Sequence, residues 1–435
     1  MLLAKTLIMS KHIIKNFQEL ANTKLRRYAL SVLEAGLNAI HTKTVVKEAV
    51  KLVGQKLTIR GQSWDLKKFR RIYLFGIGKA AADAATELER ILGKRITDGI
   101  VIDVKAAPLK RVKSVAGTHP LPSVINTRAA GEIVGMLKQA ESDDLIIFVI
   151  SGGGSALLCL PYELKCGELA LITRTLMKKG ANISEMNTVR KHLSEIQGGQ
   201  FARLAYPASI VGLIFSDVLG DDLGMIASGP TVMDLTTVSD AKAILDKYDV
   251  LRACRLPGCK LIETPKDPMF FQKVTNLLLL NNAAAIESMR AEAVKRGYAA
   301  RVYSWTLEGE AREVGRLLAG LAKPGEMVLA GGETTVKVRG NGVGGRNQEV
   351  ALGALRFVAP DGLVLSSSSD GIDNSPAAGA IADGGVAAAA RRKKLKIEKY
   401  LDANDSFNFF KLAGGRITTG ITGSNVSDLF IAARG

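Results

Sequence analysis

Aromatic side chains are scarce in this 435-residue chain, 5% of the total, and its four histidines and four cysteines are scarcer still. So few aromatics, not interleaved with the basic runs in the way a base-stacking surface requires, argue against nucleic-acid binding, because single strands are held by stacking bases on exposed rings. Cys159, Cys166, Cys254 and Cys259 form no C-x-x-C pair, and too few histidines exist to complete a zinc site. Cys254 and Cys259 could bridge in an unusual redox setting, but reduced thiols suit a cytoplasmic chain better. No apolar run is long enough to span a bilayer. The start, MLLAKTLIMSK, carries Lys5 and no cleavage site downstream, so it reads as a helix or extended start and not a signal peptide.

What is present is positive charge and glycine. The formal net charge is +17, and 44 residues are glycine. The densest basic runs, Lys67-Lys68-Phe69-Arg70-Arg71 and Arg391-Arg392-Lys393-Lys394-Leu395-Lys396, read as solvated faces, the second as the cationic end of an alanine-rich helix. Such an excess also raises the local concentration of anionic small substrates. The expected partners are therefore small molecules, with no nucleic acid and no membrane, for a monomer or homodimer.

Apolar strands alternate with helical patterns along most of the chain. A helical pattern covers Thr23 to Val53. Strands follow at Ile72–Gly76, Gly99–Val104, Asp144–Ile150 and Ile210–Phe215, and helices at Thr127–Gln139, Glu168–Lys179 and Ser184–Gln197. This alternation predicts an α/β fold whose sheet is largely parallel and covered on both faces. Leu256–Met269, with Pro257, Gly258, Pro265 and Pro268, is the strongest linker candidate. It divides a large Rossmann-like domain, 1–262, from a smaller α/β domain, 263–435, whose extreme C-terminus is free to pack back on the first. The second domain is expected to hold a mixed sheet with strands at Asn276–Leu280, Ala300–Tyr303, Met327–Ala330, Thr334–Val338 and Leu363–Ser367.

Five glycine-rich or acidic turns carry the chemistry. Gly76-Ile77-Gly78-Lys79 ends a strand and opens a helix, which points Gly78 and Lys79 at an anion, although the dinucleotide and Walker spacings are both absent. Ser151-Gly152-Gly153-Gly154-Ser155 ends another strand. Three successive glycines bare a row of amides for phosphate or carboxylate, with Ser151 and Ser155 as further donors. Gly331–Glu349, GGETTVKVRGNGVGGRNQE, places Arg346 between Gly344-Gly345 and Asn347 at a helix start, a setting for paired hydrogen bonds to an anion. Asp217, first after its strand, and Asp370, in Ser368-Ser369-Asp370-Gly371-Ile372-Asp373, are candidate Mg²⁺ ligands or bases. Asp222 and Asp373 read as turn residues and His192 as a packed histidine. Arg190 offers a further cation, and the role of His119 is open.

Taken in order, these blocks resemble the glycerate 2-kinase family, whose C-terminal region is called the MOFRL domain. The blocks are FGIGKAAADAA (75–85), GTHPLPS (117–123), SGGGSALLCLP (151–161), GANISEMNTVRKHLSEIQGGQFA (180–202), FSDVLGDDLGMIASGPT (215–231), GGETTVKVRGNGVGGRNQEVAL (331–352), SSDGIDNSPAAGA (368–380) and ITTGITGSNVSDLFIA (417–432). Two departures are visible. Asn374-Ser375-Pro376-Ala377 stands where the family usually has Gly-Pro-Thr-Asp, and Ile421 where it often has proline. The resemblance implies an active site in an interdomain cleft, ATP as phosphoryl donor, Mg²⁺, and phosphorylation of D-glycerate at its 2-hydroxyl to 2-phosphoglycerate. In that reading Gly152–Ser155 meet the ATP phosphates, Lys79 and Arg346 neutralise the transferring group, and Arg190 or Arg346 clamps the substrate carboxylate. Two rivals stand beside it: a nucleotide-dependent hydroxypyruvate reductase, with Asp103 as a loose match for a ribose-binding acid, and a basic nucleic-acid-binding protein.

Overall fold

The computed structural model describes residues 12–218 and 220–435. The expected helix or extended start in MLLAKTLIMSK lies outside the described residues. Two compact units emerge. One comprises residues 42–218 and 220–281 with 423–426, and the other residues 12–41 with 282–422 and 427–435.

The first unit is built on six parallel strands, in spatial order Lys113–Ala116, Ile100–Asp103, Arg71–Ile77, Asp144–Ser151, Ser209–Phe215 and Val274–Leu280. In chain order this is 3-2-1-4-5-6, the doubly wound arrangement. Every residue of Asp144–Ser151 is buried, which explains why that segment reads as an unbroken apolar run and not an alternation. Helices cover both faces. Val124–Leu137 and Gln200–Ala205 pack one side, where Phe148 and Phe201 stack with centroids 4.0 Å apart, and Ala81–Leu92 packs the other.

Three short strands, Val50–Val53, Lys56–Ile59 and Gln62–Asp65, form an antiparallel meander where the helical pattern of Thr23–Val53 was expected to end. Gly54 (φ 58) and the pair Arg60 (φ 48) and Gly61 (φ 84) supply the left-handed turns it needs. The division between units also differs from the expected 262/263. Val274–Leu280 lies beyond the proline-rich stretch yet completes the first sheet beside Ser209–Phe215. The proline-rich stretch itself is tied down within this unit, with Ile262 N–H donating to the His192 carbonyl at 2.8 Å.

The second unit holds a mixed sheet in the order Ala299–Leu307, Glu326–Gly332, Asp428–Arg434, Gly362–Ser368, Gly379–Asp383 and Arg416–Ile417. Only its first pair is parallel. The helix Lys24–Ala39 belongs here and crosses the helix Asn282–Lys295 closely. A Cβ on Gly36 would lie 2.7 Å from Met289 Cγ, so a larger residue would have to push the Met289 side chain aside. Arg26, on the same helix, donates to Asp383 at 2.5 and 2.7 Å in a buried fork. The expected strand Thr334–Val338 does not form. Thr335 makes a single bridge to Glu310, its N–H donates to the Gly309 carbonyl, and Val338 is 77% exposed, so no apolar face is buried by pairing.

Candidate active site

In a doubly wound sheet, ligands gather beyond the carboxyl ends of the strands where the order reverses. Here that point lies between Arg71–Ile77 and Asp144–Ser151, and the two glycine-rich turns that follow these strands are stitched together. Lys79 N–H donates to the Gly152 carbonyl at 2.9 Å, and Ala80 N–H to Ser151 Oγ at 3.2 Å. Ser151 Oγ in turn donates to the Ile77 carbonyl at 3.0 Å. Ser151 is thus consumed in holding the turns, a correction to its expected role as an anion donor. Gly78 serves the same junction, since at φ 104 its Cβ would lie 2.2 Å from Ser151 Oγ.

The remaining glycines keep space for neighbours. A Cβ on Gly152 would fall 2.0 Å from Asp217 Oδ2, one on Gly153 3.0 Å from the His119 ring, and one on Gly154 2.5 Å from Ala227 Cβ. The turn therefore brings Asp217, His119 and Lys79 around a short helix, Gly154–Leu157. The N–H groups of Gly153, Gly154 and Ser155 make no backbone hydrogen bond among the described residues and stay available to an anion. Burial, aided by the Lys79 charge, holds the His119 imidazole neutral, with its pKa lowered to about 4.

Arg190 completes this cluster. It lines a cavity with Ser155, Cys159 and Gln197, and its guanidinium makes no ion pair or hydrogen bond among the described residues. Desolvation alone moves its pKa, downward. A guanidinium withdrawn from water without a carboxylate is costly unless an anion arrives. Its neighbour Lys191 is by contrast paired with Asp234 at 3.2 Å. His192 is packed, as expected, with Nδ1 donating to the Thr188 carbonyl at 2.9 Å, and Asp222 accepts Gly224 N–H in a turn.

Two expected anion sites at helix N-termini prove to hold the protein's own carboxylates. Asp103, fully buried, accepts Ala82 N–H at 2.9 Å in the first turn of Ala81–Leu92. It is therefore committed to the helix, which removes the loose match for a reductase's ribose-binding acid. In the second unit, Asp373 accepts Asn347 N–H at 3.0 Å and Gln348 N–H at 2.9 Å at the start of Arg346–Ala354. Asn347 spends its side chain on Asp373, Asp428 and Ser366. The glycines there are equally committed. Cβ atoms on Gly344 and Gly345 would lie 2.1 Å from Ser406 Oγ and 2.3 Å from the Asp373 carbonyl. Gly344 and Gly345 thus make room for Ser406 and Asp373, and the Asn347 amide is spent on Asp373 and Asp428.

Arg346 is likewise partnered, with Nε donating to Asp428 Oδ2 at 2.5 Å and Nη1 to Glu333 at 2.6 Å. Burial lowers its pKa, but the two carboxylates outweigh that and hold it above its ordinary value. Fully buried Asp428 is pushed up to about 7 by desolvation, against the pull of Arg346. With Nη2 on Asp428 Oδ1 at 3.2 Å, three of the five guanidinium N–H groups are engaged and two remain. Asp370 accepts Ser368 Oγ–H and Ile372 N–H through Oδ1, an Asx-type turn. Among the described residues no group of three or more His, Cys, Asp or Glu side chains is placed to hold a metal. That donor set fits an ion carried on phosphate oxygens with one or two carboxylates, as Mg²⁺ commonly is, and not a resident protein cage. All four cysteines are free thiols.

The sheet order and the cations at its switch point define an anion-handling protein of the doubly wound α/β class. Residues 28–256 match the model of a domain of unknown function, DUF4147, and residues 326–428 match the MOFRL family. The chain is 36% identical to a glycerate 2-kinase of Pyrococcus horikoshii over 94% of its own length and 97% of the relative. It is 37% identical over 82% of its length to 86% of an Agrobacterium vitis protein named, provisionally, a hydroxypyruvate reductase. The crystal structure of glycerate kinase from Thermotoga maritima matches with a TM-score of 0.82 and 34% identity, covering 94% of this chain and 99% of that one. The chain belongs to the MOFRL-domain glycerate kinase family.

Proposed function

We propose that this protein transfers the terminal phosphoryl group of ATP to the 2-hydroxyl of D-glycerate, giving 2-phosphoglycerate and ADP. The observation that carries the reading is the switch-point cluster, where Lys79, the bare amides of Gly153–Ser155 and Asp217 share one turn system and the unpaired Arg190 lines a cavity with Ser155. Phosphoryl transfer asks for positioning and charge neutralisation, which such a cluster supplies. Arg190 would take the substrate carboxylate through a bidentate fork, and the amides and Lys79 would meet the phosphate oxygens. Asp217 is placed to accept the hydroxyl proton or to share a divalent ion brought with the nucleotide. When bound, Mg²⁺ would neutralise phosphate charge, with Asp217 as its candidate protein ligand at this turn. Arg346 keeps two donors for the same neutralising role. Phosphorus NMR of the product formed from D-glycerate and ATP tests the proposal. A 2-phosphoglycerate resonance supports it, whereas a 3-phosphoglycerate resonance or no turnover sinks it. Oxidation of NADH by hydroxypyruvate would instead establish the reductase.

A further inference from the structure

The side chain of Ser155 is not oriented as an anion donor. Its Oγ lies 2.9 Å from Ser228 Oγ, and Ser228 Oγ donates to Asn187 Oδ1 at 2.8 Å. A serine hydroxyl carries one proton. Ser228 spends its proton on Asn187, so the proton between the two serines belongs to Ser155. Ser155 and Arg190 line one cavity, and with its proton committed to Ser228 the Ser155 hydroxyl has only a lone pair left for a ligand there. Phosphate and carboxylate oxygens at neutral pH carry no proton to give it. A hydroxyl does.

The chain of hydrogen bonds is held by unusual backbone. Ala227 (φ 51) and Ser228 (φ 59) are non-glycine residues in left-handed geometry, and both are buried. Such strain persists only where surrounding structure fixes it, and it collects at ligand sites. The fixing is visible. Gly198 N–H donates to the Ser228 carbonyl at 2.9 Å, and Ala227 Cβ occupies the space beside Gly154 that any larger residue there would need. On the helix Ile183–His192, Asn187 and Arg190 are three residues apart and so share a face. Gln197 Nε2 donates to the Ser155 carbonyl at 2.9 Å and fixes the residue from its other side.

We infer that Ser155 is a specificity-determining residue that accepts a hydrogen bond from a hydroxyl of the acid substrate, while Arg190 holds its carboxylate and Ser228 and Asn187 act as positioning residues that set the direction of the Ser155 proton. The inference rests on the glycerate reading and deepens it, because it makes the subsite selective for hydroxy acids over plain carboxylic acids of the same size. A polar group built to pair with a substrate hydroxyl rejects an analogue lacking it far better than an apolar pocket rejects an extra one.

Isothermal titration of the full chain with D-glycerate, D-lactate (no 3-hydroxyl) and 3-hydroxypropionate (no 2-hydroxyl) tests it. Wild type should bind D-glycerate at least about tenfold more tightly than one of the two analogues, the worth of one lost hydrogen bond. In Ser155→Ala that preference should shrink to within about threefold, while the analogue lacking the group read binds wild type and variant alike. Ser228→Ala, which leaves Ser155 in place but frees its proton, should also narrow the preference without weakening that analogue. A purely structural role for Ser228 would weaken all three acids together and would overturn the relay. Retention of the wild-type preference in Ser155→Ala overturns the assignment of Ser155 and leaves the kinase reading intact. Failure of wild type to bind D-glycerate sinks both.

Discussion

Asp373 holds Gln348 twice, its Oδ2 accepting the Gln348 backbone N–H and the side-chain amide, each at 2.9 Å. With Asn347 N–H on Oδ1, the helix Arg346–Ala354 begins on a buried carboxylate of its own. Unsatisfied N–H groups and the helix dipole make such a terminus attract an anion, and the chain has supplied one. Asp373→Ala would leave these donors buried and unpaired. It should destabilise the protein by about 2–4 kcal/mol, read as a lower urea midpoint with unchanged slope. A loss under about 0.5 kcal/mol would show that water replaces the carboxylate at no cost.

His119 gives a pH signature. Its folded pKa of about 4 lies below the ordinary 6.5, chiefly through burial and then through Lys79. The unfolded chain therefore binds this proton first. The contribution to stability is complete above about 6.5 and is lost as pH falls toward about 4. Nitrogen-detected NMR titration should find the His119 ring neutral at pH 6. In Lys79→Met its pKa should rise yet stay below 6.5, because burial is the larger cause. An ordinary pKa in wild type would mean the ring is solvated.

Gly152 and Gly131 make a matched pair. A Cβ at Gly152 would collide with Asp217, whereas one at Gly131, inside the helix Val124–Leu137, meets nothing within 4 Å. Gly131→Ala should stabilise by about 0.5–1 kcal/mol through helix propensity and leave turnover unchanged. Gly152→Ala must displace Asp217 or the turn, and turnover should fall by at least about a hundredfold, a common cost of misplacing a group beside the chemistry. Equal activities in the two variants would place Asp217 outside the reaction.

The alternation of apolar strands and helices made the doubly wound sheet legible, and the glycine turns marked its switch point. Which glycines serve a ligand was not legible. Gly345 and Gly152 look alike in sequence, yet the first makes room for Asp373 and the second for Asp217. The difference lies in partners 28 and 65 residues away. Asp103 and Asp373 read as a ribose acid and a turn residue because a cap that comes from another segment leaves no local spacing. Arg190 could be named as a cation, but its lack of a carboxylate depends on which acids pack elsewhere. Asn187 and Ser228 lay inside the family-like blocks with no signal of their own, since their role comes from a strained turn. The helix Lys24–Ala39 was legible as amphipathic, but not the unit it would join, because an apolar stripe does not name its partner.

The arginines and lysine separate by which kinetic constant they move. Arg190→Lys keeps the charge but loses the planar fork, so KM for D-glycerate should rise at least about tenfold while kcat changes little. Lys79→Ala removes a charge from the turn that meets phosphate, and kcat should fall at least about a hundredfold. Arg346→Ala should do the same but also strand buried Asp428, which Arg346 now pairs at 2.5 Å, so its stability must be measured alongside. Arg346→Lys restores a charge for Asp428 without restoring two spare donors. Turnover near that of Arg346→Ala in a protein as stable as wild type would assign Arg346 to the reaction. Full turnover in Arg346→Lys would reduce it to a structural counter-ion.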